Sequence, residues 1–285
     1  GNDFSTAYMQ LVYEVGELFK KHEYLMESPV LNAEEKRKFD DIRYGRAGKI
    51  EVMRSLQILS EFLSKYYNKS VILLIDEYDV PMARATSNGY YKEMLEIMKG
   101  FMQALKDNQC IKLAVITGCL KIAKESIFTG TNNFVSNTIT SSRLNEYYGF
   151  VQNEVDRILE DAEIKGKGDI MKKWYDGYHF GDVDVYCPWD VMCYVDDLQK
   201  NPNAKPDEYW KDTSDNAIIR SFIDYAGASI TKKLETLMNG GYIIQRVDEN
   251  LTYDYLHSSA ENLWSLMYLT GYLTQVRDYK NDDAW

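Results

Sequence analysis

Hydrophobic positions recur at helical spacing through the N-terminal part of the chain. Tyr8, Leu11, Val12, Val15, Leu18 and Phe19 lie three or four apart behind Ser5 and Thr6, two side chains able to cap a helix start. Asn32 with Glu35 has the spacing of a capping box and predicts a short charged helix ending near Gly45. Met53, Leu56, Leu59, Phe62, Leu63 and Tyr66 predict a third helix. The pattern then changes. Val71–Ile75 is aliphatic without polar alternation, which fits a strand buried on both faces in the middle of a parallel sheet. Pro81 is expected to block immediate continuation of regular structure, and a helix over about 88–106 follows, with Met94, Ile97, Met98, Phe101 and Leu105 in phase. Lys112–Thr117 reads as a second strand. Strand, helix and strand make a βαβ unit, with parallel strands and a right-handed crossover expected.

Beyond residue 150 the character shifts to helices with small β elements. Helices are predicted over 153–164 and 169–175, and Tyr178–Phe180 with Val183–Tyr186 form a hairpin about Gly181 and Asp182. Pro188 occupies the favoured first position of another helix. Asn201–Pro206 is a linker, and the remainder is helical with short strands at Tyr242–Gln245 and Tyr272–Val276. The expected division is 1–150 and 151–285.

The chemistry concentrates where the first strand ends. Asp76 and Glu77 close the aliphatic run, and Asp79 stands two positions on, where it is expected to cap the following turn. In an open α/β sheet the carboxyl ends of the strands border the ligand crevice. A hydrophobic strand tipped with Asp-Glu is the pattern of a Walker B motif, in which the Asp holds Mg²⁺ and the Glu orients or deprotonates the attacking water. Thr117 ends the second strand at the same sheet edge, a place from which a polar side chain can sense a γ-phosphate.

Composition narrows the classes. The 285 residues carry a net charge of −11, which disfavours direct nucleic-acid binding by this segment, including a DExD-type helicase reading of the letters DEYD. No apolar run is long enough to span a bilayer. The four cysteines, Cys110, Cys119, Cys187 and Cys193, lack CxxC spacing and suit a reducing cytoplasm. His22, His179 and His257 have no zinc-site spacing. A phosphate-binding loop is the missing part. Gly45-Arg46-Ala47-Gly48-Lys49 lacks the first glycine at the required spacing, has Ile50 where a Ser or Thr belongs, and follows no strand. It reads as a helix–turn–helix connection.

Several strings together resemble the bacterial AAA-ATPase-like family: VILLIDEYDVP, ITGCLKIAKESIFTGTNNF, EYYGF, WYDGYHF, VYCPWDV, EYWKDTSDN and LWSLMYLTGYL. The resemblance runs along nearly the whole chain. It implies an α/β fold, an incomplete P-loop NTPase-type parallel-sheet core followed by a mostly helical domain with small β elements, winged-helix-like in one version. It further implies that a P-loop segment precedes residue 1 and a PD-(D/E)XK nuclease-like domain follows residue 285. The implied cofactors are ATP and Mg²⁺, with Asp76 as the metal residue and Glu77 and Thr117 as the catalytic Glu and sensor. Lys121 and Lys124 would either bring positive charge to the phosphates or form a solvated helix face, and Arg143 would either act as an arginine finger or be an exposed residue of a polar loop. The sequence leaves the oligomeric state open, with a homo-oligomer that completes its sites between subunits as one option. This chain alone is expected to be inactive, and a regulatory or interaction domain that keeps the fold without hydrolysis is the alternative.

Overall fold

The computed structural model describes residues 1–106, 108–120, 134–210, 228–251, 258–259 and 261–276. The chain divides into two compact units, Gly1–Phe134 with Asn250–His257, and Val135–Glu249 with Ser258–Trp285.

The first unit opens with α1 (Phe4–Lys20), α2 (Ala33–Arg43), α3 (Lys49–Met53) and α4 (Ser55–Tyr67). The cap of α1 is Asp3, not Ser5 or Thr6: its carboxylate accepts from the Thr6 amide at 2.9 Å and from the Thr6 hydroxyl at 2.8 Å. The capping box of α2 forms as the spacing predicts, with Asn32 Oδ1 accepting from Glu35 N at 2.9 Å and Glu35 Oε2 accepting from Asn32 N at 2.7 Å. The predicted third helix is two, broken at Arg54. Phe19, Leu25, Phe39, Ile42, Val52, Phe62, Met82 and Ile97 are buried and form the core of this unit.

Strand β1 (Val71–Ile75) is followed by α5 (Val80–Ser87), α6 (Tyr91–Met102) and β2 (Ile111–Ile116). Pro81 does not interrupt the chain: it sits in the first turn of α5, where its missing N–H and fixed φ cost nothing. The helix expected over 88–106 appears as α6 with a 3-10 turn at Gln103–Leu105, while α5, which the sequence reading did not expect, precedes it across a turn at Gly89 (φ 78°). Gly100 in α6 faces α3 so closely that a Cβ there would lie 2.5 Å from the Cβ of Met53.

The strands β1 and β2 pair in parallel in one sheet, as the βαβ reading requires. The prediction that β1 is buried on both faces fails. Ile72 and Leu74 are 57% and 72% exposed, and Leu113 and Val115 of β2 are 52% and 45% exposed. An apolar run reports the capacity to be covered on both sides, and only the neighbours decide whether it is. Among the described residues the sheet has two strands, so one apolar face remains open to solvent.

The second unit contains α7 (Gln152–Asp161), α8 (Gly168–Tyr175), the antiparallel hairpin β3 (Tyr178–Phe180) and β4 (Val183–Val185), α9 (Pro188–Lys200), α10 (Ala228–Met238) and α11 (Asn262–Leu269). The hairpin and the proline-started α9 appear where the sequence places them. The predicted strands at Tyr242–Gln245 and Tyr272–Val276 do not form; those residues are irregular. Tyr175, Tyr186, Val191 and Tyr194 bury themselves with Val155, Leu159 and Met171, whereas Trp174 and Trp189 of the same aromatic strings are exposed. Among the described residues, no helix is long and apolar enough to cross a membrane.

Candidate functional site

The site begins with a register. Val71 lies opposite Ile111, but Ile72 lies opposite Leu113, so β2 gains one residue at Lys112. Such a bulge displaces all later pairings by one position. Ile75 consequently faces Ile116, and the next residues along, Asp76 and Thr117, become neighbours. Without the shift, Asp76 would stand opposite Ile116. The Thr117 hydroxyl donates a hydrogen bond to Asp76 Oδ1. The same oxygen accepts the Glu77 amide at 3.0 Å.

The backbone turns sharply here. Glu77 has φ 51°, a left-handed conformation that costs a non-glycine residue roughly 1–2 kcal/mol. The Glu77 carbonyl accepts the Val80 amide at 3.1 Å, which leads the chain into α5. Asp76, Glu77 and Thr117 are all exposed, at the carboxyl edge of both strands. Asp76 Oδ2 and the Glu77 carboxylate make no hydrogen bond among the described residues.

Asp79 corrects the sequence reading. It stands at the N-cap position of α5, but its side chain does not cap that helix. Instead the carboxylate, in a residue only 1% exposed, accepts the Cys119 amide at 3.2 Å and the Leu120 amide at 2.9 Å. Tyr78 adds two further links to the same loop: its amide donates to the Thr117 carbonyl at 3.1 Å and its hydroxyl to the Leu120 carbonyl at 2.7 Å. A Cβ on Gly118 would fall 2.5 Å from Asp79 Oδ1 and 2.6 Å from the Tyr78 ring, so only glycine fits. The spacing of DEYD carries no sign of this role, because the partner amides lie 40 residues away in sequence.

The acidic edge also acts on a thiol. Cys119 is exposed as a residue, yet desolvation of its sulfur, and then the negative charges of Asp79, Glu77 and Asp76, push its pKa up. A raised pKa leaves less thiolate at neutral pH. Cys119 is therefore expected to react slowly with iodoacetamide at neutral pH, with a rate–pH midpoint above that of an unperturbed thiol. Replacing Asp76 and Glu77 by Asn and Gln should move the midpoint down. A wild-type midpoint at or below the ordinary thiol value would contradict this electrostatic account.

The glycine-containing turn is not a phosphate cradle. Gly45 N bonds to Ile42 O at 3.1 Å, and Arg46 N and Ala47 N bond to Asp41 O at 2.7 and 3.0 Å. Gly48 N bonds to Glu51 Oε2 at 3.2 Å. The amides an anion would need are consumed, in agreement with the helix–turn–helix reading. Lys121 and Lys124 lie outside the described residues. Arg143 belongs to the second unit, exposed on the bend before Leu144. No group of three or more His, Cys, Asp or Glu that could hold a metal ion occurs among the described residues.

Residues 3–128 match the AAA-ATPase-like family, whose description is "Predicted AAA-ATPase". This stretch contains β1, β2 and the acidic edge. The chain is also 26% identical over 207 residues to a protein of Azotobacter chroococcum mcd 1 described as "Uncharacterized protein in vnfD 5'region". That alignment takes in 72% of this chain and 37% of the relative, so the chain spans well under half of the relative's length. No solved structure matches the chain. The similarity to a predicted AAA-ATPase thus falls on the part of the chain that carries the paired strand ends and their carboxylates.

Proposed function

We propose that the chain carries the acidic, water-activating half of a magnesium-dependent ATP-hydrolysing module. The observation that carries this reading is the juxtaposition of Asp76 and Thr117 across two parallel strand ends, with Glu77 held left-handed beside them. Backbone strain of that kind is characteristic of functional turns. The donor set fits Mg²⁺ in a particular way. Mg²⁺ prefers hard oxygen ligands and is held by one or two carboxylates together with substrate phosphates and water, not by a dedicated protein cage. Asp76 supplies one such carboxylate, with Oδ2 uncommitted, and Thr117 adds a hydroxyl. Magnesium, when bound, would neutralise phosphate charge at this edge. Asp76 would hold it, Thr117 would keep the Asp76 carboxylate oriented, and Glu77 would orient a water and accept its proton.

The remaining roles follow the family likeness. Lys121 and Lys124 would supply charge to the phosphates and Arg143 an arginine finger, in a cytoplasmic homo-oligomer whose sites are shared between subunits. A P-loop segment would come from elsewhere in the protein, and a nuclease-like domain would receive the nucleotide signal. This reading takes residues 1–150 as the ATPase-like core and 151–285 as the helical domain. The alternative is a regulatory domain that keeps the fold without hydrolysis, and the amides of residues 45–48, taken up within their own turn, serve neither reading as a phosphate cradle.

Calorimetry on the full-length protein separates the two. ATP is expected to bind at least about tenfold tighter with Mg²⁺ than with a chelator, a difference of roughly 1.4 kcal/mol. Asp76→Asn should abolish that difference. Equal magnesium dependence in the variant would overturn the assignment of Asp76, and no ATP binding at all would favour the regulatory reading.

A further inference from the structure

We propose that Asp79 is a positioning residue of this site, acting through Thr117. The proposal rests on the magnesium–nucleotide reading above and extends it to a residue that touches neither ligand. The main chain and side chain of Asp79 serve different segments. Its carbonyl starts α5, accepting the Met82 and Ala83 amides at 2.9 and 3.0 Å. Its carboxylate crosses to the loop after β2 and takes the amides of Cys119 and Leu120. A carboxylate accepting backbone N–H groups makes charge-assisted hydrogen bonds, stronger than neutral ones.

Geometry shows what this link controls. Thr117 is two residues from the clamped Cys119 amide, and its own carbonyl is held by the Tyr78 amide. The segment 117–120 is therefore tied at both ends to residues 78 and 79, with side-chain-free Gly118 packed between the ties. A loop so fixed leaves the Thr117 hydroxyl beside Asp76 Oδ1. Releasing the Asp79 clamp frees the loop, and with it the hydroxyl that orients the Asp76 carboxylate. The register shift at Lys112 brings Thr117 opposite Asp76, the Ile75 carbonyl and the Tyr78 amide hold its main chain in the ladder, and Asp79 fixes the loop that follows it.

The test uses Asp79→Asn, which preserves shape but turns an amide NH₂ toward a backbone donor. Amide hydrogen exchange at Cys119 and Leu120 is expected to accelerate at least about tenfold, while exchange within α5 stays the same. Turnover of Mg²⁺-ATP by the full-length protein should fall about tenfold or more with KM within about twofold, the signature of a lost transition-state interaction. In a Thr117→Val background the same substitution should cost less than about twofold, because residues acting through one another are not additive. Gly118→Ala, which pushes the loop away from Asp79, should reproduce the pattern should Asp79→Asn fold poorly. Unchanged exchange at Cys119 and Leu120 overturns the proposal, as does an equal kinetic loss in both backgrounds. A wild-type protein that hydrolyses no ATP overturns the parent reading and this proposal with it, whereas additive losses in an active enzyme overturn this proposal alone.

Discussion

Glu77→Gln in the full-length protein is expected to lower ATP turnover about 10²–10⁴-fold, the range associated with removing a general base. ATP binding should stay within a few-fold of wild type, so the variant accumulates bound, unhydrolysed nucleotide. Glutamine keeps the size and the hydrogen-bonding carbonyl of the side chain but cannot take a proton from water. It also adopts the left-handed backbone at φ 51° as well as glutamate does, so the fold is not disturbed. Glu77→Gly makes a useful contrast. Glycine relieves the left-handed strain and should raise stability by up to about 1 kcal/mol while abolishing turnover. A site that stores strain for function shows this opposition of stability and activity. Single-turnover hydrolysis alongside thermal melts of both variants checks it. Hydrolysis by Glu77→Gln at the wild-type rate would remove Glu77 from the chemistry.

Phe19→Ala is expected to cost about 3–5 kcal/mol in the first unit, the cost of deleting a fully buried aromatic ring. Phe19 and Phe39 are both 0% exposed, with ring centroids 5.0 Å apart and planes at 51°. The pair fastens α1 to α2, and a tilted aromatic pair adds about 0.5–1.5 kcal/mol beyond its buried area. Urea denaturation followed by amide exchange within α1 and α2 gives the loss for this unit separately from the other. A double-mutant cycle with Phe39→Ala should then show the pairwise coupling. A loss below about 1 kcal/mol would mean that α1 and α2 are held mainly by other contacts.

The elements whose signals are local were legible from the residues alone. The capping box at Asn32 and Glu35, the hairpin about Gly181 and the proline start of α9 each depend on groups within a few positions. Those interactions act over one turn of chain, so spacing is enough to read them. Helix interruptions were legible less well. Nothing in the apolar periodicity from Met53 to Tyr66 marks the break at Arg54, and Pro81 read as a stop although a first helical turn accepts proline. The strands predicted at Tyr242–Gln245 and Tyr272–Val276 have only β-favouring residues to support them. Strands need partners, and none of those residues lies in a sheet.

For the site, the sequence by itself determined the reactive groups: an aliphatic strand ending in Asp76 and Glu77, and a Thr at the end of the next strand. It also determined that the two strands run parallel, since a helical crossover leaves little other choice. Only the tertiary structure decided how these groups meet. The extra residue at Lys112 sets Thr117, and not Ile116, against Asp76, and register is a property of two strands together. The exposure of Ile72 and Leu74 depends on which neighbours cover the sheet, and an apolar run cannot report that. Asp79 looked like a cap because a carboxylate before a helix usually finds the nearest amides. Here the fold brings the Cys119 and Leu120 amides to it from 40 residues away, and a buried carboxylate takes the donors that burial leaves unsolvated.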